Sequence, residues 1–263
     1  MEIKINRLVL LSNHPVLDQL ARDIAAGVLP EALPLKDIVV CIGAHKHFPG
    51  LIKRSAFKIC VQTEHILDAN AQPLWFKPKR WLRIVINLLI CNLLLDLSPY
   101  NKRAYCWLPS SLRKKIIFGP KIFPSKTVEY SSGNGKFVFY GVLNNRRRQL
   151  LNGNKIFTVL EKGIYGAELA RNIAEASGVL NIHFASGIYT EYPRLLSAYL
   201  AGKPFISERL GHELEPGRHY LLLGDTIKVE KMKYVFEKFT NEFAVNNSFT
   251  DFLSHCTSKS RSD

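Results

Sequence analysis

The sequence predicts an α/β protein built from two small doubly wound lobes, and three observations predict it. Short apolar runs alternate with segments whose apolar residues recur at helical spacing, the rhythm of buried parallel strands and their connecting helices. That rhythm pauses over PKIFPSKTVEYSSGNGK at 120–136, where two prolines precede a Ser/Gly/Asn cluster, and then restarts. The chain has 263 residues, enough for two lobes of roughly 120 residues each. The boundaries follow: 1–125 for the first lobe, 126–245 for the second, and 246–263 for a polar tail expected to fray.

In the first lobe, NRLVLLS at 6–12 has the apolar content of a strand. Residues 15–28, PVLDQLARDIAAGV, space their apolar side chains as a helix does. DIVVCIG at 37–43 and FKICVQ at 57–62 are continuous apolar runs expected to be fully buried strands. WLRIVINLLICNLLL at 81–95 reads as one buried helix; it is too short for a membrane span, which needs about 20 apolar residues. The second lobe opens with FVFY at 137–140 and a basic helix from Asn144. Strands are expected at 155–160, 179–184, 204–207 and 220–223, and helices at 165–176, 191–201 and 230–242. The start, MEIKINRLVLLSNHP, lacks a basic region before a long apolar core and reads as a first strand, not a signal peptide.

Hydrophobic residues make up 47% of the chain, which excludes global disorder. The net charge is +14, and residues 101–150 hold eleven Lys/Arg against Glu129 alone. Such a surplus points to an anionic partner: a phosphorylated small molecule, an anionic membrane or nucleic acid. Five cysteines form no CxxC pair, and three lie in apolar runs, so they are expected to be buried free thiols in a reducing, cytoplasmic setting.

Ligands of open parallel sheets bind beyond the carboxyl ends of the strands, and three turns of the second lobe are expected to meet there. The first, FYGVLNNRRR at 139–148, offers Gly141 for close backbone approach, Asn144 as a helix N-cap, and Arg147. Arginines in a first helical turn oppose the helix dipole, a conflict that suggests a use such as holding phosphate oxygens. The second, NIHFASGIYTEYPR at 181–194, offers His183, Glu191 and Arg194. The third, AGKPFISERLG at 201–211, offers Lys203, Ser207 and Glu208. No D-x-D, GxxxxGK[ST] or GxGxxG occurs, and His45 and His47 have no neighbouring metal-ligand companions.

Together these segments resemble the donor domain of GT-B glycosyltransferases, in particular the bacterial "glycosyl transferases group 1" type. The likeness rests on Gly141, Asn144, Arg146 and Arg147 after a strand, and on a helix from Tyr165-Gly166 through Glu168 to Ile173. It continues with Leu180-Asn181-Ile182-His183 and with Arg194 through Gly202 to Ser207-Glu208, so that it spans about residues 136–225. Ser197 stands where a group member has a donor-binding glutamate, and Tyr189 where its partner glutamate stands.

The resemblance implies two Rossmann-like lobes with a cleft between them, a nucleotide-sugar donor in the second and a glycan or lipid-linked glycan acceptor in the first. It implies sugar transfer in cell-surface polysaccharide or lipopolysaccharide synthesis, with no cofactor and no metal. Arg147, Arg194 and Lys203 would carry the diphosphate, and Gly141, Asn144, His183, Glu191, Ser207 and Glu208 would complete the donor site. For an inverting course, Glu64, His65 and His14 are the candidate acceptor bases. WFKPKRWLR at 75–83 interleaves Trp75, Phe76 and Trp81 with basic residues, as suits an anionic bilayer on the inner face of the membrane. A non-catalytic GT-B relative and a basic nucleic-acid-binding protein are the alternatives; no recognition helix or RNP-like strand supports the latter.

Overall fold

The computed structural model describes residues 1–74 and 76–259. Trp75, part of the aromatic-basic run, and the last four residues of the tail lie outside the described residues. The chain divides into two compact units, Met1–Ser125 with the segment from Asn247 onward, and Lys126–Asn246.

The first unit begins with an antiparallel hairpin of β1 (Glu2–Ile5) and β2 (Leu8–Leu11), turned at Asn6 with φ 49°. Asparagine is among the few side chains that tolerate this left-handed backbone. Next come α1 (Pro15–Ala26), β3 (Ile38–Ile42), β4 (Phe57–Gln62), α2 (Lys79–Ile90), β5 (Leu93–Asp96), α3 (Ser110–Arg113) and β6 (Ile116–Phe118). Strands β2 to β6 run parallel in sequential order. Every residue of β3 is buried, as its unbroken apolar run requires. Val39, Cys41, Cys60 and Leu94 of the sheet pack with Ile84 and Leu88 of α2 and with Cys91 and Tyr105.

The second unit contains β7 (Phe137–Phe139), α4 (Asn145–Leu151), β8 (Phe157–Val159), α5 (Gly166–Glu175), β9 (Gly178–Asn181), α6 (Tyr192–Leu200), β10 (Phe205–Ser207), β11 (Leu221–Leu222) and α7 (Val229–Phe239). Its five parallel strands are ordered β11-β10-β9-β7-β8. From β7 the chain steps outward to β8, then returns to the other side of β7 for β9. That reversal is a topological switch point, the place beyond the carboxyl ends of the strands where open parallel sheets bind their ligands. The strands here are only two to four residues long, yet Phe137, Phe139, Leu180, Ile182 and Ile206 are buried together under α7 residues Met232 and Val235.

Two expectations are corrected. Residues 81–95 are not one helix: α2 ends at Ile90, Cys91 turns to φ −86° and ψ 153°, and the remaining leucines enter the sheet as β5. The Lys58 N–H donates to Asn92 Oδ1 (2.8 Å) and the Asn92 N–H to the Lys58 carbonyl (2.9 Å), so Asn92 leads the chain into the strand. The expected polar tail also gives way to a helix, α8 (Phe249–Lys259). Phe123 and Phe249 exchange backbone bonds with this returning segment, Phe123 N–H to the Asn247 carbonyl (3.0 Å) and Phe249 N–H to the Phe123 carbonyl (2.8 Å). Phe249, Phe252, Leu253 and Cys256 are buried at helical spacing, a face hidden in sequence by the polar residues between them. Cys41, Cys60, Cys91 and Cys256 are buried free thiols, and Cys106 is exposed.

Leu253 is fully buried, so Leu253→Ala is expected to lower stability by about 2–5 kcal/mol, read by urea unfolding. A loss within the surface range of about 0.5 kcal/mol would return this segment to the status of a frayed tail.

Candidate functional site at the switch point

The turn after β7 begins at Tyr140 and passes through Gly141 at φ 126°. A side chain there would crowd Arg194 Nη2 at 3.0 Å and touch Arg147 Nη1 at 3.7 Å; glycine is needed for the backbone angle and leaves the guanidinium groups room. Asn144 then caps α4: its Oδ1 accepts from the Arg147 N–H (2.9 Å), and its Nδ2 donates to the Phe184 carbonyl (2.6 Å). The cap thereby joins the first turn to the loop after β9.

Arg147 is buried, at 3% exposure. Nε donates to the Ile182 carbonyl (2.8 Å), Nη1 to the Val142 carbonyl (2.9 Å) and Nη2 to Glu191 Oε1 (3.0 Å). Burial lowers its pKa from the ordinary arginine value, with Glu191 opposing. Arg194 projects from α6 to the same carboxylate: Nη1 meets Glu191 Oε2 at 2.8 Å and also donates to Asn181 Oδ1, while Nη2 reaches the Tyr140 carbonyl at 3.1 Å. Both guanidinium groups lie against the Phe139 ring, at 5.3 and 5.4 Å. Among the described residues, nothing accepts from the buried Arg194 Nε.

A second pair closes the far side. Arg146 grips Glu208 with both Nη atoms, one at 2.9 Å, and Nη1 also donates to the His183 carbonyl (2.9 Å). The His183 N–H donates to Glu208 Oε2 (2.8 Å). Burial pushes the Glu208 carboxyl up, but Arg146 and the His183 amide outweigh it and hold it below the usual carboxylate range. The His183 ring stacks on Tyr189 at 4.1 Å, and its Nδ1 lies 3.0 Å from the Gly187 carbonyl. Ser207 Oγ accepts from Asn181 Nδ2 (2.8 Å) and braces the ends of β9 and β10.

Eight sequence candidates therefore meet at one edge: Gly141, Asn144, Arg147, His183, Glu191, Arg194, Ser207 and Glu208. Arg146, Asn181 and Tyr140 join them. Arg146 stood in the same arginine triplet as Arg147, and Asn181 in the NIH run, but only the geometry shows that each holds a partner. Three guanidinium groups face two carboxylates here, a local surplus of positive charge fitted to an anion. Ser197 turns its Oγ onto the Pro193 carbonyl (3.1 Å), and Tyr189 bonds the Ala185 backbone. Neither supplies the carboxylate that stands there in group members.

Lys203 is the exception. It lies between α6 and β10, at the amino end of the strand, and its Nζ donates to the carbonyls of Ser131 (3.2 Å) and Ser132 (2.6 Å) and to Ser131 Oγ. A residue before a parallel strand is placed at the edge opposite the one where its successor ends. Lys203 is a buried tie for the chain entering this unit, and the diphosphate role expected of it is corrected.

The carboxyl edge of the first sheet carries its own polar group. Glu64 Oε2 accepts from Arg80 Nη1 (2.9 Å), and Oε1 lies 3.6 Å from His45 Nε2. Burial holds the His45 imidazole down to about 4, despite Glu64, so it is neutral at neutral pH. His45 has no ligand-type companion nearby in sequence; its link to Glu64, nineteen positions on, depends on the register of β3 against β4. His65 is buried beside Glu64. His14 is exposed and caps α1, accepting from the Val16 N–H at 3.4 Å, a structural task that accounts for it without catalysis. Among the described residues, no group of three His, Cys, Asp or Glu side chains is placed to hold a metal ion.

No family model and no curated protein matches the chain. Among solved structures it is similar to Anabaena Alr3699/HepE in complex with UDP and glucose, at TM-score 0.50 and 11% identity, over 86% of this chain and 78% of that one. The UDP-glucose complex of the same protein gives TM-score 0.50 and 10% identity, over 86% and 79%. The fold is that of the GT-B glycosyltransferases, α/β with two parallel-strand sheets.

Asp96, at the end of β5, gives the first unit a pH signature. Burial pushes its carboxyl up to about 7, against donors on Tyr105 (2.6 Å), Ser98 (2.9 Å) and Asn101 (3.0 Å) that favour ionisation. Between the ordinary 3.8 and about 7 the native state keeps a proton that the unfolded chain has released. Stability from this group is therefore full below about pH 4 and lost as pH rises through about 7. Asp96→Asn is expected to flatten that fall in Tm; parallel curves for wild type and variant would show that Asp96 does not titrate there.

Proposed function

We propose that the protein is a glycosyltransferase that moves a sugar from a nucleotide-sugar donor to a glycan or lipid-linked glycan acceptor without a divalent metal. The observation that carries this reading is the pair Arg147 and Arg194, converging on one carboxylate beneath Gly141 at the switch point of a GT-B fold. Cleaving a nucleotide sugar leaves negative charge on the departing diphosphate, and fixed guanidinium groups in a partly dry site stabilise it. Arg194 has a buried Nε donor to spare, and Gly141 lets phosphate oxygens approach the backbone. Glu191 keeps the two arginines in position. Glu208, fixed by Arg146 and the His183 amide, presents a carboxylate to sugar or ribose hydroxyls. The similar Anabaena protein binds UDP and UDP-glucose, which favours a uridine donor.

On the acceptor side, Glu64 is the group best placed to take a hydroxyl proton in an inverting transfer. Its side chain is about a quarter exposed (27%), and Arg80 and the neutral His45 fix it from two directions. His65 is too deeply buried for this and His14 is committed to its cap. A setting in cell-surface polysaccharide or lipopolysaccharide synthesis, on the inner face of the membrane, accords with the group resembled. No described helix is long and apolar enough to cross a membrane. The replacement of both family glutamates by Tyr189 and Ser197 favours a second reading, a nucleotide-sugar-binding relative without transfer activity.

Calorimetric titration with UDP and UDP-glucose tests the donor reading. Arg194→Ala is expected to weaken binding at least tenfold, about 1.4 kcal/mol, in protein that remains folded by circular dichroism. Lys203→Ala is expected to lower Tm while leaving the affinity of the folded fraction within about twofold. Unchanged affinity in folded Arg194→Ala would remove the switch point from the donor site, and saturable binding without turnover on any acceptor would establish the second reading.

A further inference from the structure

We propose that the outer face of α2, with Trp107 beside it, is a docking surface for an anionic lipid bilayer. The helix buries Ile84, Asn87 and Leu88, and Asn87 is satisfied there by donating to the carbonyls of Ala44 (2.6 Å) and Lys46 (2.8 Å). Its opposite side carries Leu82, Ile86 and Leu89, exposed to 66%, 38% and 61%. Spacings of four and three put them on one stripe. Trp107, 58% exposed, sits edge-on to Trp81 of the same helix, with ring centroids 5.5 Å apart. Exposed aliphatics scattered singly are ordinary, but a contiguous set on one helix marks an interaction surface.

Charge identifies the occupant. From residue 69 to residue 128 the sequence holds eleven Lys/Arg and a single acid, Asp96, which is fully buried. Lys79 and Arg83 are exposed on the outer side of α2, and Lys102, Arg103, Arg113 and Lys114 are exposed on the segments that follow. Glu64, about a quarter exposed, is taken up by Arg80 at the start of the helix, which leaves Lys79 and Arg83 beside the apolar stripe; such a face suits the headgroup boundary of an anionic membrane, where stems and aliphatics enter and charges meet phosphate. Nucleic acid would reward the charge but not three exposed aliphatics. A second copy docking face to face would set this unopposed positive charge against itself. Twelve residues of helix suit lying on a bilayer, not spanning it.

Of the aromatics in the basic run, Trp75 lies outside the described residues. Phe76 and Trp81 are packed ring to ring, and Trp81 also lies edge-on to the buried Tyr105 at 5.4 Å. They support α2 from within the fold, and Leu82, Ile86, Leu89 and Trp107 supply the contact.

Flotation of the full chain with phosphatidylcholine vesicles, with and without phosphatidylserine, tests this. Binding is expected only with phosphatidylserine. Lys79→Glu with Arg83→Glu should weaken it at least about tenfold, and Leu82→Ser, Ile86→Ser and Leu89→Ser together should abolish the part that survives high salt. All these positions are exposed and outside the switch-point site, so Tm and UDP affinity report whether each variant is sound. Equal binding to neutral vesicles, or salt-resistant binding retained by the triple serine variant, would overturn the proposal. So would a concentration-dependent dimer that this variant dissolves, since it would assign the face to a second copy. Vesicle binding is read without nucleotide, so its failure leaves the donor assignment standing, and the reverse holds too.

Discussion

The carboxylate of Glu191 is the fixed point of the second unit. Two arginines from different elements, Arg147 on α4 and Arg194 on α6, close on its two oxygens. Further donors of the two take the carbonyls of Ile182, Val142 and Tyr140. The ends of β7 and β9 are thus tied by side-chain hydrogen bonds where strands of three and four residues offer little ladder. Two buried guanidinium groups without a counter-ion would be costly to desolvate. Placing one carboxylate between them makes the burial tolerable and leaves the surplus charge on a rigid frame.

That arrangement also explains the arginine triplet at the start of α4. The dipole of a helix disfavours cations in its first turn, but the conflict is met by tertiary partners: Arg146 takes Glu208 and Arg147 takes Glu191. The two pairs reach across β7, β9 and β10, which ordinary helix-surface charges do not do. The functional reading draws on this constraint, because a site whose cations are already oriented loses little entropy when an anion arrives.

Much of this was legible in the sequence where the local pattern and the global fold agree. Strands β3, β4, β7 and β9 are apolar runs with few alternatives, Gly141 and Glu208 follow strand ends, and Asn144 and Arg194 stand at the starts of the helices that come next, where parallel sheets place ligands. The failures have definite causes. Residues 81–95 are apolar throughout, so periodicity did not mark the break at Cys91, and hydrogen bonds between Lys58 and Asn92 decide it. Lys203 has the chemistry of a phosphate ligand, but its position before β10 assigns it to the other edge. His45 lacked a companion nearby in sequence; its companion, Glu64, came from the turn after a neighbouring parallel strand. The aliphatics of α2 could not be sorted into inner and outer sides until Asn87 was seen to face inward.

Lys203 has a consequence for how the second unit can change. Its ammonium group is fixed to the backbone of Ser131 and Ser132, so the incoming chain is fastened at the amino edge of the sheet, while the arginine–glutamate cluster occupies the carboxyl edge. The fastening and the arginine–glutamate cluster are separated by the full length of the strands. Substitutions, insertions or new fusions upstream of this fastening would be absorbed at one end of the sheet without reaching the other. A lineage could therefore remodel what is attached before the unit and keep the arginine–glutamate cluster intact.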